Sequence, residues 1–160
     1  MLSDQKLESM NMLKEGDNAP ELEGVDQNGN SISLNDFADK KIALYFYPKD
    51  STPGCTAQAC NLRDNYQELL KAGYQVIGVS ADSEKRHQNF IEKNSLPFPL
   101  IADTDKKFIE AYGVWGPKKF MGKEYDGIHR TTFLIDENRV ITKVIKKVKT
   151  KEHTAQILED

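Results

Sequence analysis

The stretch "IALYFYPKDSTPGCTAQAC", residues 42–60, joins an apolar run to a segment that carries helix-start residues. The run from Ile42 to Pro48 is rich in β-branched and aromatic residues, which predicts a strand buried on both faces. Thr52 suits the N-cap of a helix, and Pro53 suits its first position. The stretch therefore predicts a strand followed at once by a helix, with Cys55 in the first helical turn.

The flanking sequence continues this alternation. Apolar residues at helical spacing run from Cys55 to Ala72, and Tyr74 to Ala81 predicts a second buried strand. The later segments predict a helix from about Ser83, a strand over 98–103, a helix ending at Gly113, a hairpin formed by 131–135 and 140–148, and a closing helix from about Lys151. This order predicts an α/β, thioredoxin-like fold, with a mixed central sheet flanked by helices on both sides.

Composition narrows the possible functions. The chain has 160 residues, 38% of them hydrophobic, and a formal net charge of −3, which fits one domain. Its lysines form no broad basic face, so no nucleic-acid partner is expected. The opening "MLSDQKLESMNMLKEGD" has no unbroken apolar stretch and predicts neither a signal peptide nor a membrane span. We expect a cytoplasmic protein without a membrane partner.

The chain has two cysteines, Cys55 and Cys60. In a reducing compartment a permanent disulfide is not expected, so the thiols are reactive, redox-cycling or simply buried. Residue type alone favours a buried thiol, but the position of Cys55 favours a reactive one. Unpaired backbone N–H groups and the positive end of the helix dipole stabilise a thiolate there. Gly54 leaves room for a small substrate. Cys60 lies within the helix, and simple packing stays the favoured explanation for it.

These residues resemble the active-site pattern of the peroxiredoxins, in the group of the bacterioferritin comigratory protein and peroxiredoxin Q. The pattern P-x-x-x-T-x-x-C is matched by Pro48, Thr52 and Cys55, and the group's second cysteine is matched by Cys60. The segments "EGDNAPELEGVDQNGNSISLNDF", "GYQVIGVSADS" and "YGVWGPKKFMGKEYDGIHRTTFLID" extend the resemblance over about residues 12 to 150. It implies one domain over 12–160, after an N-terminal extension, residues 1–11, to which no function is assigned.

The resemblance also implies a role for each matched residue. Cys55 is the peroxidatic cysteine, Cys60 the resolving one, Thr52 and Pro48 shape the site, and Arg130 is the active-site arginine. The implied function is a thiol-dependent peroxidase for hydrogen peroxide and organic hydroperoxides, working through a cysteine sulfenic acid. An intramolecular Cys55–Cys60 disulfide would then be reduced by thioredoxin. The group also implies a monomer that needs no cofactor.

Two other classes of function stay open on the same fold. A thiol–disulfide oxidoreductase normally presents C-x-x-C at the helix start, and the spacing here argues against it. A non-enzymatic redox sensor or chaperone-like protein would instead change its partners on oxidation. Loss of peroxide together with loss of thiol, followed by turnover with thioredoxin, distinguishes the peroxidase from both.

The remaining residue types give weaker predictions. His87, His129 and His153 are far apart in sequence, and with cysteines five residues apart they form no zinc pattern, so no metal is assigned. We expect His129 to be a surface group. Trp115, Phe120 and Met121 are expected in a loop that either walls the pocket or covers the core.

Overall fold

A computed structural model describes residues 11–159 of the chain. Within that range the strands are β1 (Glu23–Val25), β2 (Ser31–Ser33), β3 (Lys41–Phe46), β4 (Tyr74–Ser80), β5 (Leu100–Ala102), β6 (Trp115–Phe120), β7 (Lys123–Ile128), β8 (Thr131–Ile135) and β9 (Ile141–Ile145). The helices are α1 (Pro53–Asp64), α2 (Tyr66–Lys71), α3 (Glu84–Asn94), α4 (Lys107–Tyr112) and α5 (His153–Leu158), with 3-10 turns at Leu34–Phe37 and Thr150–Glu152.

The central sheet has five strands in the order β5-β4-β3-β8-β9. Strands β3, β4 and β5 are parallel, whereas β8 runs antiparallel to both β3 and β9. Strand β3 is thus central, and its carboxyl end leads directly into the loop before α1. The mixed sheet and the β8–β9 hairpin are as the sequence predicts.

Each face of the sheet carries its own apolar cluster. On one face Leu44 and Phe46 pack with Phe108 and Tyr112 of α4. On the other face the alternate residues of β3 pack under α1, α2, α3 and α5, in a cluster that includes Ala43, Tyr45, Tyr47, Cys55, Ala59, Leu62, Leu69, Phe90 and Ile157. Because the sheet is covered on both sides, β3 is buried along nearly its whole length. Helices on both sides confirm the predicted thioredoxin-like architecture.

The helix predicted from Cys55 to Ala72 is wrong in one respect, because it is two helices. Residue Asn65 leaves helical geometry, with φ −114° and ψ 18°, and caps both segments. Its side-chain amide donates to the carbonyl of Asn61, 2.8 Å away. A short polar side chain that bonds locally to the backbone competes with helix propagation, which explains the break.

Residues 11–159 contain no helix that is long and apolar enough to span a bilayer. The predicted extension, residues 1–11, lies outside the described part of the chain apart from Asn11. From Met12 and Leu13 onward the chain packs against the core, and the Leu13 amide donates to the Tyr112 carbonyl at 3.1 Å. The domain boundary at residue 12 stays a prediction.

Candidate active site

Helix α1 begins where the sequence predicts, with Thr52 as N-cap and Pro53 as its first residue. Cys55 is the third residue of the helix, and it is 1% exposed. Its backbone therefore lies among the helix N–H groups that have no intrahelical acceptor. The positive end of the helix dipole favours a negative charge at this place.

Arg130 reaches Cys55 from the segment between β7 and β8. Its Nη2 donates to the Cys55 Sγ at 3.3 Å, and its Nη1 donates to the Gln58 Oε1 at 2.6 Å. Gln58 is fully buried one turn after Cys55, so it fixes the plane of the guanidinium. The predicted pairing of Arg130 with Cys55 is thus present in the structure, across 75 residues of sequence.

Gly54 is explained by this guanidinium. A Cβ placed on Gly54 would lie 3.2 Å from the Arg130 Nη2, which is tighter than an ordinary van der Waals contact. The sequence suggests that Gly54 leaves room for substrate, and the structure shows that it leaves room for Arg130.

Thr52 occupies the N-cap position that the sequence predicts, without the side-chain bond typical of a cap. Its hydroxyl donates to the Lys49 carbonyl at 2.9 Å, and its side chain makes no capping bond to the helix. The hydroxyl donates its one proton to that carbonyl, and its oxygen keeps lone pairs that can accept a hydrogen bond from a ligand O–H. Pro48 lies two residues after the end of β3 and is half-buried.

Cys60 lies on the same helix as Cys55 but faces another neighbour. Both thiols are free, and the Cys60 Sγ is 3.8 Å from the Asn94 Oδ1 at the end of α3. Cys60 is half-buried, whereas Cys55 is buried. The structure thus does not bring the two sulfurs together, as expected for a continuous helix that includes both.

Gln58 and Lys118 are two neighbours of this site that the sequence reasoning missed. Burial lowers the pKa of Lys118, the nearby Arg130 lowers it further, and Cys55 has the opposite effect. Lys118 is held by a 2.8 Å bond from its Nζ to the Ile128 carbonyl. The position of Gln58 three residues after Cys55, on the same helical face, is the signal that could have identified it.

The prediction for Trp115, Phe120 and Met121 is wrong in its secondary structure. Trp115 and Phe120 begin and end strand β6, Met121 follows in the turn, and β6 and β7 form a separate two-stranded hairpin. Phe120 and Met121 are exposed and cover no core. Trp115 packs at the base of the hairpin, pairs with Ile128, and has the Lys106 Nζ 4.7 Å from its ring centroid.

His129 is less exposed than the prediction of a surface group implies. It lies between β7 and β8 and is half-buried, with Nε2 2.9 Å from the Pro117 carbonyl. Burial lowers its pKa, so the ring is neutral near pH 7. His129 therefore ties the base of the hairpin to the segment that carries Arg130.

In the described residues one group could offer three ligands to a metal ion: Asp50, Asp82 and His87, whose ligand atoms lie within 4.8 Å of one another. The two His87 nitrogens face the Asp50 carboxylate and the Ile101 carbonyl. Asp82 accepts from the Asp50 amide and the Ser80 hydroxyl. These atoms are already partnered within the protein, which favours a hydrogen-bond network over a metal site.

Comparisons with known proteins agree with this geometry. The family model described as "AhpC/TSA family" matches residues 15–144. Peroxiredoxin Bcp of Escherichia coli K12 is 50% identical over 149 residues, 93% of this chain and 96% of that protein. Peroxiredoxin Bcp of Bacillus subtilis is 47% identical over 90% of this chain and 92% of that protein.

A solved structure extends the agreement to three dimensions. The bacterioferritin comigratory protein of Xanthomonas campestris superposes with a TM-score of 0.80 at 36% identity, covering 86% of this chain and 87% of that chain. Peroxiredoxins use an ionised cysteine to reduce peroxides, and that is the chemistry to which the buried Cys55–Arg130 contact is suited. The chain belongs to the AhpC/TSA family, among peroxiredoxins of the Bcp and Q type, and it is a thiol-dependent peroxidase.

Proposed function

We propose that Cys55 is the residue that attacks the hydroperoxide. The observation that carries this assignment is the bond from the Arg130 Nη2 to the buried Cys55 Sγ at the start of α1. Two positive electrostatic sources, the guanidinium and the helix terminus, face one sulfur and favour its anion. Cys60 has neither neighbour among the described residues, and we assign it to the second step.

In the first step the Cys55 thiolate attacks the terminal oxygen of R–O–O–H. An S–O bond forms, the O–O bond breaks, and the leaving RO⁻ takes a proton to become an alcohol, or water when R is hydrogen. Sulfur is oxidised to a sulfenic acid by two electrons, and the peroxide is reduced by two. The barrier depends on stabilising the negative charge that moves from sulfur to the leaving oxygen.

Arg130 can stabilise both ends of that charge movement. Its planar guanidinium already donates to Cys55 and has further N–H groups for the peroxide oxygens. Thr52 can accept the peroxide O–H, because its own proton is committed to Lys49. Pro48 has no N–H and lies in the loop between β3 and α1, two residues after β3 ends. We assign Arg130 to charge stabilisation, Thr52 to orientation, and Pro48 to shaping the loop.

In the second step the Cys60 thiol attacks the Cys55 sulfenic acid, so that a disulfide forms and water leaves. On a continuous helix, Cα atoms five residues apart are about 8.6 Å from each other, from the rise, radius and turn of an α-helix. A disulfide needs about 4.4–6.8 Å. Because Cys55 and Cys60 both lie within α1, the first turns of that helix must unwind before the bond can form.

The substrate class follows one of the solved relatives. The Xanthomonas protein has alkyl peroxide reduction activity, and this supports organic hydroperoxides in addition to hydrogen peroxide as substrates here. We propose that a thioredoxin-type dithiol reduces the Cys55–Cys60 disulfide. We further propose that the protein acts as a cytoplasmic monomer without nucleic-acid or membrane partners.

A steady-state assay tests these proposals. Hydrogen peroxide and a bulkier alkyl hydroperoxide are each supplied with thioredoxin, glutaredoxin or glutathione as electron donor. We expect sustained turnover with thioredoxin and slower turnover with glutathione, since a monothiol must act twice on one disulfide. Turnover with glutathione but not with thioredoxin would reject the thioredoxin-linked cycle. Oxidation of the protein thiols without sustained loss of peroxide would also reject it.

A further inference from the structure

The loop between β3 and α1, residues 47–52, is held at one buried residue. Asp50 is 2% exposed, although it lies in a surface connection. Its backbone N–H donates to the Asp82 Oδ2 at 2.8 Å, and its Oδ1 accepts from the Tyr47 hydroxyl at 2.5 Å. Its Oδ2 lies 2.6 Å from the Nδ1 of His87 on α3. Asp50 thus ties the loop to its own first residue, to the segment after β4 and to α3.

The hydrogen bonds of His87 define the proton count of this pair. His87 is fully buried, and its Nε2 is 2.9 Å from the Ile101 carbonyl, which can only accept, so Nε2 carries a proton. A bare Nδ1 facing an ionised carboxylate at 2.6 Å would be repulsive. One proton therefore lies between Nδ1 and the Asp50 carboxylate, and the pair has no net charge in either arrangement. A neutral pair is compatible with complete burial.

The neighbour of Asp50 shows why the loop needs such an anchor. Ser51 has φ +64°, in the left-handed region that a side-chain-bearing residue adopts only at a conformational cost. A strained residue of this kind persists when its surroundings fix it. Ser51 stands between Asp50, which is fixed by the three contacts, and Thr52, which caps α1. The start of α1, and with it Cys55, takes its position from this loop.

We propose that Asp50 and His87 are positioning residues for the peroxide reaction: they fix the 47–52 loop so that Thr52 and the first turn of α1 present Cys55 to Arg130. This inference rests on the proposed role of Cys55. The pair acts through hydrogen bonding and needs no proton transfer to the reacting atoms. It also predicts that the loop stays in place when the first turns of α1 unwind.

Asp50→Asn and Asp50→Ala separate positioning from proton transfer. The asparagine carbonyl can accept from Tyr47 while its amide donates to the bare Nδ1 of a neutral His87, so each side-chain bond is kept. We expect the rate constant of Cys55 with hydrogen peroxide, followed by stopped flow, to stay within about threefold of wild type in Asp50→Asn. In Asp50→Ala we expect a loss on the order of 10²-fold, the usual effect of displacing a reacting group by about 1 Å. An equal loss of rate in both variants would show that the proton of the Asp50–His87 pair is needed for the reaction. No loss in either variant would show that the hydrogen bonds of Asp50 do not affect the reaction. Each result overturns the proposal.

Ile141→Ala controls for stability. Ile141 is fully buried in β9 and belongs to the apolar cluster on the face of the sheet opposite Cys55. Its truncation destabilises the fold, yet we expect a wild-type rate constant under conditions in which circular dichroism shows the protein to be folded. A rate loss matching that of Asp50→Ala at equal loss of stability would reject positioning in favour of general destabilisation. Cys55→Ser, measured in parallel, must be inactive; activity there would reject the proposed function instead of the anchor.

Discussion

The two ends of α1 are held in different ways. At the Cys55 end, the N-cap makes no side-chain bond to the helix, and among the described residues the Cys55 sulfur has one polar contact, from Arg130. At the other end, Asn61 donates to the Lys151 carbonyl and accepts from the Thr154 amide, both at 2.8 Å. Arg63 donates to the Asn94 carbonyl at 2.7 Å. The comparison indicates that the amino-terminal turns of α1 can open while its carboxyl-terminal turns stay in place.

The largest expected effect is from Cys55→Ser. Serine keeps the size of the side chain but is not ionised at neutral pH, so peroxide reduction should be abolished. The measurement is loss of hydrogen peroxide with thioredoxin present. Residual turnover above a few per cent of wild type would remove Cys55 from the reaction.

Cys60→Ser makes the same substitution five residues further along α1 and is the matched contrast to Cys55→Ser. One round of peroxide reduction should still occur, because the attacking thiol is intact, but it should leave a sulfenic acid that an external thiol reduces or that is oxidised further. Mass spectrometry of the protein after one equivalent of peroxide reports this product. Failure of the first round would give Cys60 a role beyond resolution.

Arg130→Lys should produce the next largest effect. Lysine keeps the charge but loses the planar set of donors that contacts both Cys55 and Gln58. We expect a loss of about 2–4 kcal/mol in barrier, which is about 30- to 1,000-fold in the rate constant for peroxide attack. Stopped-flow kinetics measures this constant. A wild-type rate would place Arg130 outside the reaction, whatever its distance from the sulfur.

Acidification should weaken the contacts at the carboxyl-terminal end of α1 through His153. This buried residue of α5 bonds to Thr132 and Gln156, and burial lowers its pKa from 6.5 to about 4. The unfolded chain therefore binds a proton first as pH falls. The stabilisation from neutral His153 is complete above about pH 6.5 and is lost as pH falls towards 4. The expected loss is about 3 kcal/mol in the free energy of unfolding.

Urea unfolding of wild type and His153→Gln between pH 7 and 4 measures this contribution. The variant should be less stable at pH 7 and should lose less stability on acidification, because glutamine does not titrate. Parallel pH profiles would show that another group is responsible. Because α5 packs against α1, the same acidification should increase amide exchange near Asn61.

The smallest expected effect, and the most direct test of the comparison, concerns Asn61. In the oxidised wild type, amide protection should fall over 53–60 and persist over 61–64. Asn61→Ala removes both side-chain bonds to the C-terminal segment, at a cost of about 1–2 kcal/mol, and should extend the loss of protection to 61–64. Equal protection over 52–62 in both redox states, with a confirmed Cys55–Cys60 disulfide, would show that the helix never had to open.

The sequence was sufficient for elements that depend on neighbouring residues. Thr52, Pro53 and the apolar run before them predicted the strand, the helix start and the place of Cys55, because capping and periodicity are local. The resemblance then supplied Arg130, which no local pattern places near Cys55. The β6–β7 hairpin was missed because its strands are half-exposed and contain glycine and proline, which obscure the alternation.

Residues that act through long-range contacts were harder to find. His87 and Asp50 are 37 positions apart, and only the fold brings the His87 Nδ1 to 2.6 Å from the Asp50 carboxylate. The break at Asn65 was missed for the opposite reason, since it comes from a single side-chain bond within a segment that is helical on both sides. Periodicity averages over such individual bonds and does not detect them.

The single tryptophan gives the protein an optical signal of its own. Trp115 pairs with Ile128, two residues before Arg130, and carries the Lys106 ammonium close to its ring. Indole emission depends on nearby charge and on access of water, so a shift of the segment that bears Arg130 should change the fluorescence. The proposed oxidation of Cys55 and opening of α1 can therefore be followed in real time without an attached dye, in a chain where no second indole obscures the signal.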